Sequence, residues 1–302
     1  MDREPPTSAP APTAPACACR GARRRRLLFT GLLAGAAAPL LGAPGSALAA
    51  DPECRRSPLT GAVSAETVEG AARQQYLQLM REAQSKNALA AADDPQLQRL
   101  RYVAARLVPF APACNERARA WRWEVQLLRS NSLNAFCMPG GKIAFFSGIL
   151  SRLKLSDDEV AMIMGHEAAH ALLEHARERV VKSTGTNVGL RLLAAMFGLG
   201  NLGDLAAQGL SQLANLRFSR DDESEADALG LLLAARAGYD PRASISLWQK
   251  MGAANEGRSP PAWLSTHPAG PARVKEIQAR LPRVLPEFQR AAAPDRRFPA
   301  AA

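Results

Sequence analysis

His166-Glu167-Ala168-Ala169-His170 decides how this chain is read. It is an H-E-x-x-H pattern inside a long helical stretch. On a helix, residues four apart share a face, so the two imidazoles can grip one metal ion with Glu167 beside them. Two histidines and a neighbouring carboxylate suit zinc and a water activated by a general base. The same five residues also arise by chance on a helix that carries two histidines and a surface Glu. Three further features separate these readings: a marked helix, a third ligand and a wall for substrate.

The helix is well marked. Ser156-Asp157-Asp158-Glu159 is a capping box, and its extra acids favour a helix N-terminus. Val160, Ile163, Met164, Ala168, Ala171 and Leu172 then recur at helical spacing, and the helix is expected to run to residue 181. Apolar neighbours imply a buried Glu167, and a Glu is rarely buried without a partner.

The third ligand is offered by Phe218-Ser219-Arg220-Asp221-Asp222-Glu223-Ser224-Glu225-Ala226-Asp227. Glu223 and Asp227 are four apart on a helix expected from about residue 220 to 237. One carboxylate can bind the metal and the other can hydrogen-bond a ligating His. Spacing leaves Glu223 and Glu225 both open as the ligand. An acidic helix start is also an ordinary complement to the helix dipole.

The wall lies just upstream. Residues 121–128 alternate through Trp121, Trp123, Val125 and Leu127. Short strands are expected at 135–138 and 142–147, separated by Pro139-Gly140-Gly141. Together they predict a small antiparallel sheet before the metal helix, with Cys137 on its edge strand. Such an edge can pair with an extended peptide, although a small sheet that merely covers helices gives the same pattern.

The remaining periodicity predicts helices at 64–92, 95–107, 241–252 and 273–281, an extended lead-in at 51–62 and a loop at 253–266. Residues 190–199 are the most hydrophobic run after the leader, yet too short to span a bilayer. Buried packing is favoured there over a lid or a membrane-surface contact. The tail from 290 is expected to be disordered. The fold class is therefore α+β and mainly helical, with one domain at 50–289.

The chain has 302 residues, 47% hydrophobic but only 5% aromatic, which favours helices rich in Ala and Leu. The formal charge of +10 is inflated by residues 1–49, which carry six Arg against one Asp and one Glu. No basic-aromatic interleaving follows, so no nucleic-acid partner is expected. The first 22 residues are rich in Pro and Ala. Arg23 to Arg26, an apolar stretch at 27–41 and Ala47-Leu48-Ala49 have the layout of a signal peptide. The paired arginines also resemble a twin-arginine signal, and both export routes stay open. Cys54, Cys114 and Cys137 follow the leader, enough for one disulfide and one free thiol. Cys54–Cys114 is the favoured pair.

Four motifs in order resemble one family. H-E-A-A-H, then E-S-E-A-D about fifty residues on, are similar to the zinc metallopeptidases that include HtpX, the CAAX prenyl endopeptidases, mitochondrial Oma-type proteases and periplasmic BepA and LoiP. N-A-F-C-M-P-G-G-K-I precedes them and S-T-H-P-x-x-x-x-R follows, so the likeness covers about residues 60–282. It implies a gluzincin-type domain holding one zinc ion through His166, His170 and Glu223, with Glu167 activating water. It implies that Asp227 is the acid behind the ligands, called a proton donor in some family descriptions, and that Glu225 is not a ligand. His267 matches a histidine that in BepA-like members approaches the zinc and holds the site at rest. With neither a tetratricopeptide array nor membrane spans in the sequence, the BepA/LoiP-like periplasmic members are the nearest type.

Of four histidines, His175 falls five after His170, which on a continuous helix turns it away from the ligand face. It is read as a surface or packing residue. The function expected is a zinc metalloendopeptidase of the bacterial periplasm acting on misfolded or misassembled envelope polypeptides. Peripheral contact with the membrane or with outer-membrane assembly machinery is also expected. The alternative is a metal-binding chaperone or scaffold with little proteolysis. Glu167 favours the enzyme, because a pure binder needs no base there.

Overall fold

A computed structural model of the chain describes residues 52–182, 218–255, 262–268 and 270–301. The leader at 1–49 and the apolar run at 190–199 lie outside the described residues. The helices are α1 (Ala65–Ser85), α2 (Pro95–Leu107), α3 (Ser147–Arg152), α4 (Asp157–Leu172), α5 (His175–Lys182), α6 (Arg220–Arg236), α7 (Ala243–Asn255), α8 (Ala262–Thr266) and α9 (Pro271–Arg290). The strands are β1 (Glu124–Leu128), β2 (Ala135–Met138) and β3 (Lys142–Phe146). No helix among the described residues is long and apolar enough to cross a membrane.

Helix α4 is the centre of the domain. Its capping box forms as expected: Glu159 N–H donates to Ser156 Oγ, and Ser156 N–H donates to Glu159. Every α4 residue except Asp158 is buried, the signature of a helix surrounded by other elements. The acids of its first turn are all anchored. Fully buried Arg99 of α2 donates to Asp157 at 2.6 Å and to Leu155 O at 2.6 Å. Lys250 and Ser246 of α7 donate to Glu159. A second capping box, Ser219 with Asp222, starts α6.

Helices α4 and α6 meet backbone to backbone. A Cβ on Gly165 would stand 2.6 Å from Gly230 O, and one on Gly230 would stand 2.7 Å from His166 N. Only hydrogen fits on either side of this crossing. It brings together the faces that carry His166, His170 and Glu223.

The sheet has three strands in the order β1-β3-β2, but it is mixed rather than antiparallel. Gly140 and Gly141 take φ of 87° and 75° at the turn, which glycine adopts readily, and fold β2 back on β3 as an antiparallel hairpin. Strand β3 thereby enters between β2 and β1, so β1 and β3 run parallel. Trp121 and Trp123 precede β1 instead of alternating along it. Their rings pack together at 5.4 Å, and the Trp123 ring occupies the space beside Gly141. Both faces of the sheet are covered. Ala135, Cys137, Ile143 and Phe145 join the core around α2, α4 and α6. Phe136, Met138, Ala144 and Phe146 pack with Val68, Tyr76 and Leu79 of α1.

Several boundaries differ from expectation. Helix α1 stops at Ser85, because residues 88–90 bond along the outer edge of β1: Ala90 N–H donates to Leu127 O and Arg129 N–H to Ala88 O. The lead-in forms two short 3-10 turns rather than an extended segment. Residues 262–266, read as loop, are the helix α8. Helix α9 runs through Pro282 and Pro286 to Arg290. Both prolines lie on the exposed face, where water can serve the carbonyls that lose a helical donor, while Ile277, Leu281 and Val284 bury the other face. The tail is anchored, not loose: Arg297 pairs with Asp158, Phe298 N–H donates to Asp157, and Phe298 packs on Tyr102. Cys54 and Cys114 are disulfide-bonded, and Cys137 is a buried thiol.

The glycine crossing predicts a large asymmetry between two glycines. Gly230→Ala should cost roughly 1–3 kcal/mol or more, because the new methyl meets backbone that cannot step aside. Gly252→Ala has open space around its Cβ and should stabilise α7 by up to about 1 kcal/mol. Thermal unfolding midpoints of the two variants check this; equal shifts would contradict the crossing.

Candidate metal centre

The structure brings His166, His170, Glu223 and His267 into one buried cluster, with one ligand atom from each lying within 4.8 Å of the others. Helix α4 supplies both histidines from one face. Helix α6 supplies Glu223 across the glycine crossing. Helix α8 ends just before His267 and delivers it from a third direction, with His267 N–H bonded to Trp263 O at 2.8 Å.

Distances test whether this donor set fits a metal. His166 Nε2 and His170 Nε2 are 3.1 Å apart. Glu223 oxygens lie 3.5 Å from His166 Nε2 and 3.6 Å from His170 Nε2. A tetrahedral ion with zinc-like bonds of about 2.0–2.1 Å sets its ligand atoms about 3.3 Å apart. Two imidazole nitrogens and a carboxylate so spaced match a zinc site. Glu223 Oε2 is buried and pairs with Arg273 Nη1 at 2.6 Å, a contact that uses one of its two lone pairs. An oxygen held this way has a lone pair to offer a cation.

The supporting groups are equally ordered. Asp227 Oδ1 lies 3.0 Å from His166 Nδ1, which places the proton on Nδ1 and leaves Nε2 as the donor atom toward the cluster. Arg273 clamps Asp227 with two bonds of 2.7 and 2.8 Å, and its guanidinium carbon lies over the Trp248 ring, 3.8 Å from the centroid. Phe218 stacks on His170 at 3.9 Å. Glu167 Oε1 accepts the Trp263 indole N–H at 2.6 Å and lies 3.4 Å from His267 Nε2. His267 Nδ1 is 2.8 Å from Glu223 Oε1 and 3.2 Å from His166 Nε2. It therefore fills the fourth corner of the cluster.

Electrostatics follow from these contacts. Burial alone would raise Glu223, but His267 and Arg273 outweigh it and hold its pKa down at about 2. Burial opposes ionised Asp227 as well, and the Arg273 clamp keeps it well below the usual carboxylate range. Burial, joined by the neighbouring imidazoles, keeps His170 neutral well below its ordinary value, the state a ligand needs. For His267, burial is overcome by Glu223 and Glu167, which raise its pKa.

Glu225 stays out of the cluster and is half exposed. His175 departs most from expectation. It is buried, with Nδ1 only 2.8 Å from His170 Nδ1. The helix is not continuous: α4 ends at Leu172, Glu174 takes φ 61°, and the chain restarts as α5 with the His175 ring back over His170. A non-glycine residue at positive φ is not foreseeable from periodicity. The tasks of Trp263 and Arg273 were likewise not legible, although Arg273 closes the S-T-H-P-x-x-x-x-R motif.

Comparison with known proteins agrees with the fold and the cluster. The model of peptidase family M48 matches residues 95–281, and the chain belongs to that family. It is 41% identical over 153 residues to the mitochondrial metalloendopeptidase OMA1 of Arabidopsis thaliana, covering 51% of this chain and 30% of the relative. It is 29% identical over 188 residues to the metalloprotease LoiP of Escherichia coli, covering 59% of this chain and 70% of the relative. The β-barrel assembly-enhancing protease of Yersinia pestis is 29% identical over 176 residues, covering 53% of this chain and 35% of the relative. The chain thus spans less than a third of the length of the Arabidopsis relative.

The held-down carboxylate gives a pH signature. The depressed Glu223 contributes stability that is present above its ordinary pKa of 4.5 and is lost as pH falls through about 2. In chelator-treated protein, the stability gap between wild type and Glu223→Gln should narrow between pH 5 and pH 2, a range set about those two values. Thermal unfolding across that range measures it, and a gap that ignores pH would contradict the assignment.

Proposed function

We propose that the protein is a zinc-dependent metalloendopeptidase of the bacterial periplasm that cleaves misfolded or misassembled envelope polypeptides. The observation that carries the peptidase reading is the buried His166–His170–Glu223 cluster with Glu167 held beside it. When bound, zinc supplies Lewis-acid chemistry: it polarises a scissile carbonyl and acidifies water. Glu167 takes the proton from the attacking water and returns it to the leaving amine. The Trp263 indole holds one Glu167 oxygen in place for this. Asp227, kept charged by Arg273, acts by fixing His166 and has no proton to donate. Strand β2 stands last in the order β1-β3-β2 among the described residues, and a strand so placed can pair with an extended substrate.

His267 is the resting-state ligand in this reading. It stands in the fourth corner, where water and substrate must enter, and it arrives on the same helical turn as Trp263. Displacing α8 would open that corner and release Glu167 together.

The location rests on the leader and on cysteine chemistry. Arg23 to Arg26 precede an apolar stretch and Ala47-Leu48-Ala49, the layout of an export signal. The Cys54–Cys114 bridge suits an oxidising compartment. The envelope substrates rest on the printed name of the Yersinia relative.

Glu167→Gln should keep its zinc and lose casein cleavage by on the order of 10²–10⁴-fold, and a chelator should abolish wild-type cleavage. Equal cleavage by both proteins would sink the assigned mechanism, while zinc binding without cleavage by either would favour the scaffold alternative. His267→Ala should also keep its zinc but cleave faster than wild type. Unchanged cleavage at unchanged metal content would remove His267 as a resting ligand.

A further inference from the structure

His175 is the one histidine that the zinc reading leaves without a task, yet it is only 2% exposed. Its Nδ1 lies 2.8 Å from His170 Nδ1, and its Nε2 lies 3.2 Å from Glu225 Oε2. Two ring nitrogens at such a distance share one proton, so one must donate and the other accept.

The metal site settles which. His170 faces the cluster through Nε2, 3.1 Å from His166 Nε2. A ligating nitrogen offers a lone pair, so the proton of neutral His170 sits on Nδ1. That N–H points at His175 Nδ1, which must then accept. The proton of His175 is thereby placed on Nε2, where it faces Glu225, a carboxylate that only accepts. Each proton along the chain is placed by the one before it.

We propose that His175 is a positioning residue for the metal site: it accepts the His170 Nδ1 proton, fixing the tautomer and plane of that ligand, and Glu225 fixes His175 in turn. The proposal rests on the zinc reading of the cluster. The two metal histidines are then oriented by different devices. His166 leans on a buried carboxylate locked by Arg273, whereas His170 leans on a neutral imidazole that leads out to a half-exposed carboxylate. The break at Glu174 gains a purpose, since a continuous helix would carry residue 175 away from His170.

A packing role and an accepting role for His175 predict opposite rankings of two variants. His175→Phe keeps an aromatic ring and removes the acceptor. His175→Asn loses the bulk but can set an amide oxygen near the place of Nδ1. The proposal expects His175→Phe to weaken zinc binding by about 10–100-fold, read by competition with a chromophoric chelator. His175→Asn should stay closer to wild type than to the Phe variant. Glu225→Ala should weaken binding less than His175→Phe, because water can replace a half-exposed carboxylate.

Wild-type protein with 15N-labelled histidine, loaded with zinc, gives an independent reading that needs no variant to fold. Long-range nitrogen–proton correlations should show His170 protonated on Nδ1 and His175 on Nε2. His175 protonated on Nδ1 would overturn the proposal, as would a Phe variant that binds zinc like wild type or an Asn variant as weak as Phe. Wild-type protein that takes up no zinc would instead overturn the metal-site reading itself.

Discussion

Everything about the site depends on two glycines that let two helices touch. Gly165 and Gly230 leave no room for a Cβ between α4 and α6. Most helix pairs pack with axes 8–10 Å apart because side chains intervene. Here backbone meets backbone one residue before His166. Glu223 and Asp227 then fall within reach of His166 without long or flexible side chains. A metal site needs its ligands placed to within fractions of an ångström, and short side chains on rigid, buried helices provide that.

The cluster concentrates charge in the core, and its charges are matched. Glu223 and Asp227 are both held ionised, and Arg273 spans them, itself buried and lying over the Trp248 ring. Buried ions are tolerated when paired and hydrogen-bonded. The arrangement also separates two jobs that one carboxylate cannot do. Asp227 spends both oxygens on His166 and Arg273, so it orients. Glu223 also turns its oxygens to His166 Nε2 and His170 Nε2, so it can bind. His267 completes the balance by facing Glu223 and Glu167 together.

Much of this was legible in the residues. H-E-A-A-H, its capping box and the apolar repeat of α4 gave the metal helix, because periodicity and caps are local properties. Glu223 and Asp227 were visible as a spaced pair, and the family likeness chose Glu223 over Glu225. The contacts between elements were not legible. Strand direction in the sheet depends on where β3 inserts, which alternation does not encode. Pro282 ended a helix on propensity alone, but the buried face of α9 overrides it. His175 was misplaced for the same reason: helical spacing holds only while the helix lasts, and Glu174 ends it. Trp263 fell in a stretch read as loop, and only its indole contact with Glu167 distinguishes it. The role of Gly230 could have been suspected only by noticing a glycine amid the leucines of α6.

The central claim is that these side chains form one zinc site. X-ray absorption at the zinc edge of the purified protein tests it most directly. The account predicts one zinc per chain with imidazole nitrogens and a carboxylate oxygen at about 2.0–2.2 Å. That signal should be lost in Glu223→Ala. A sulfur neighbour at about 2.3 Å, or zinc uptake indifferent to Glu223, would contradict it.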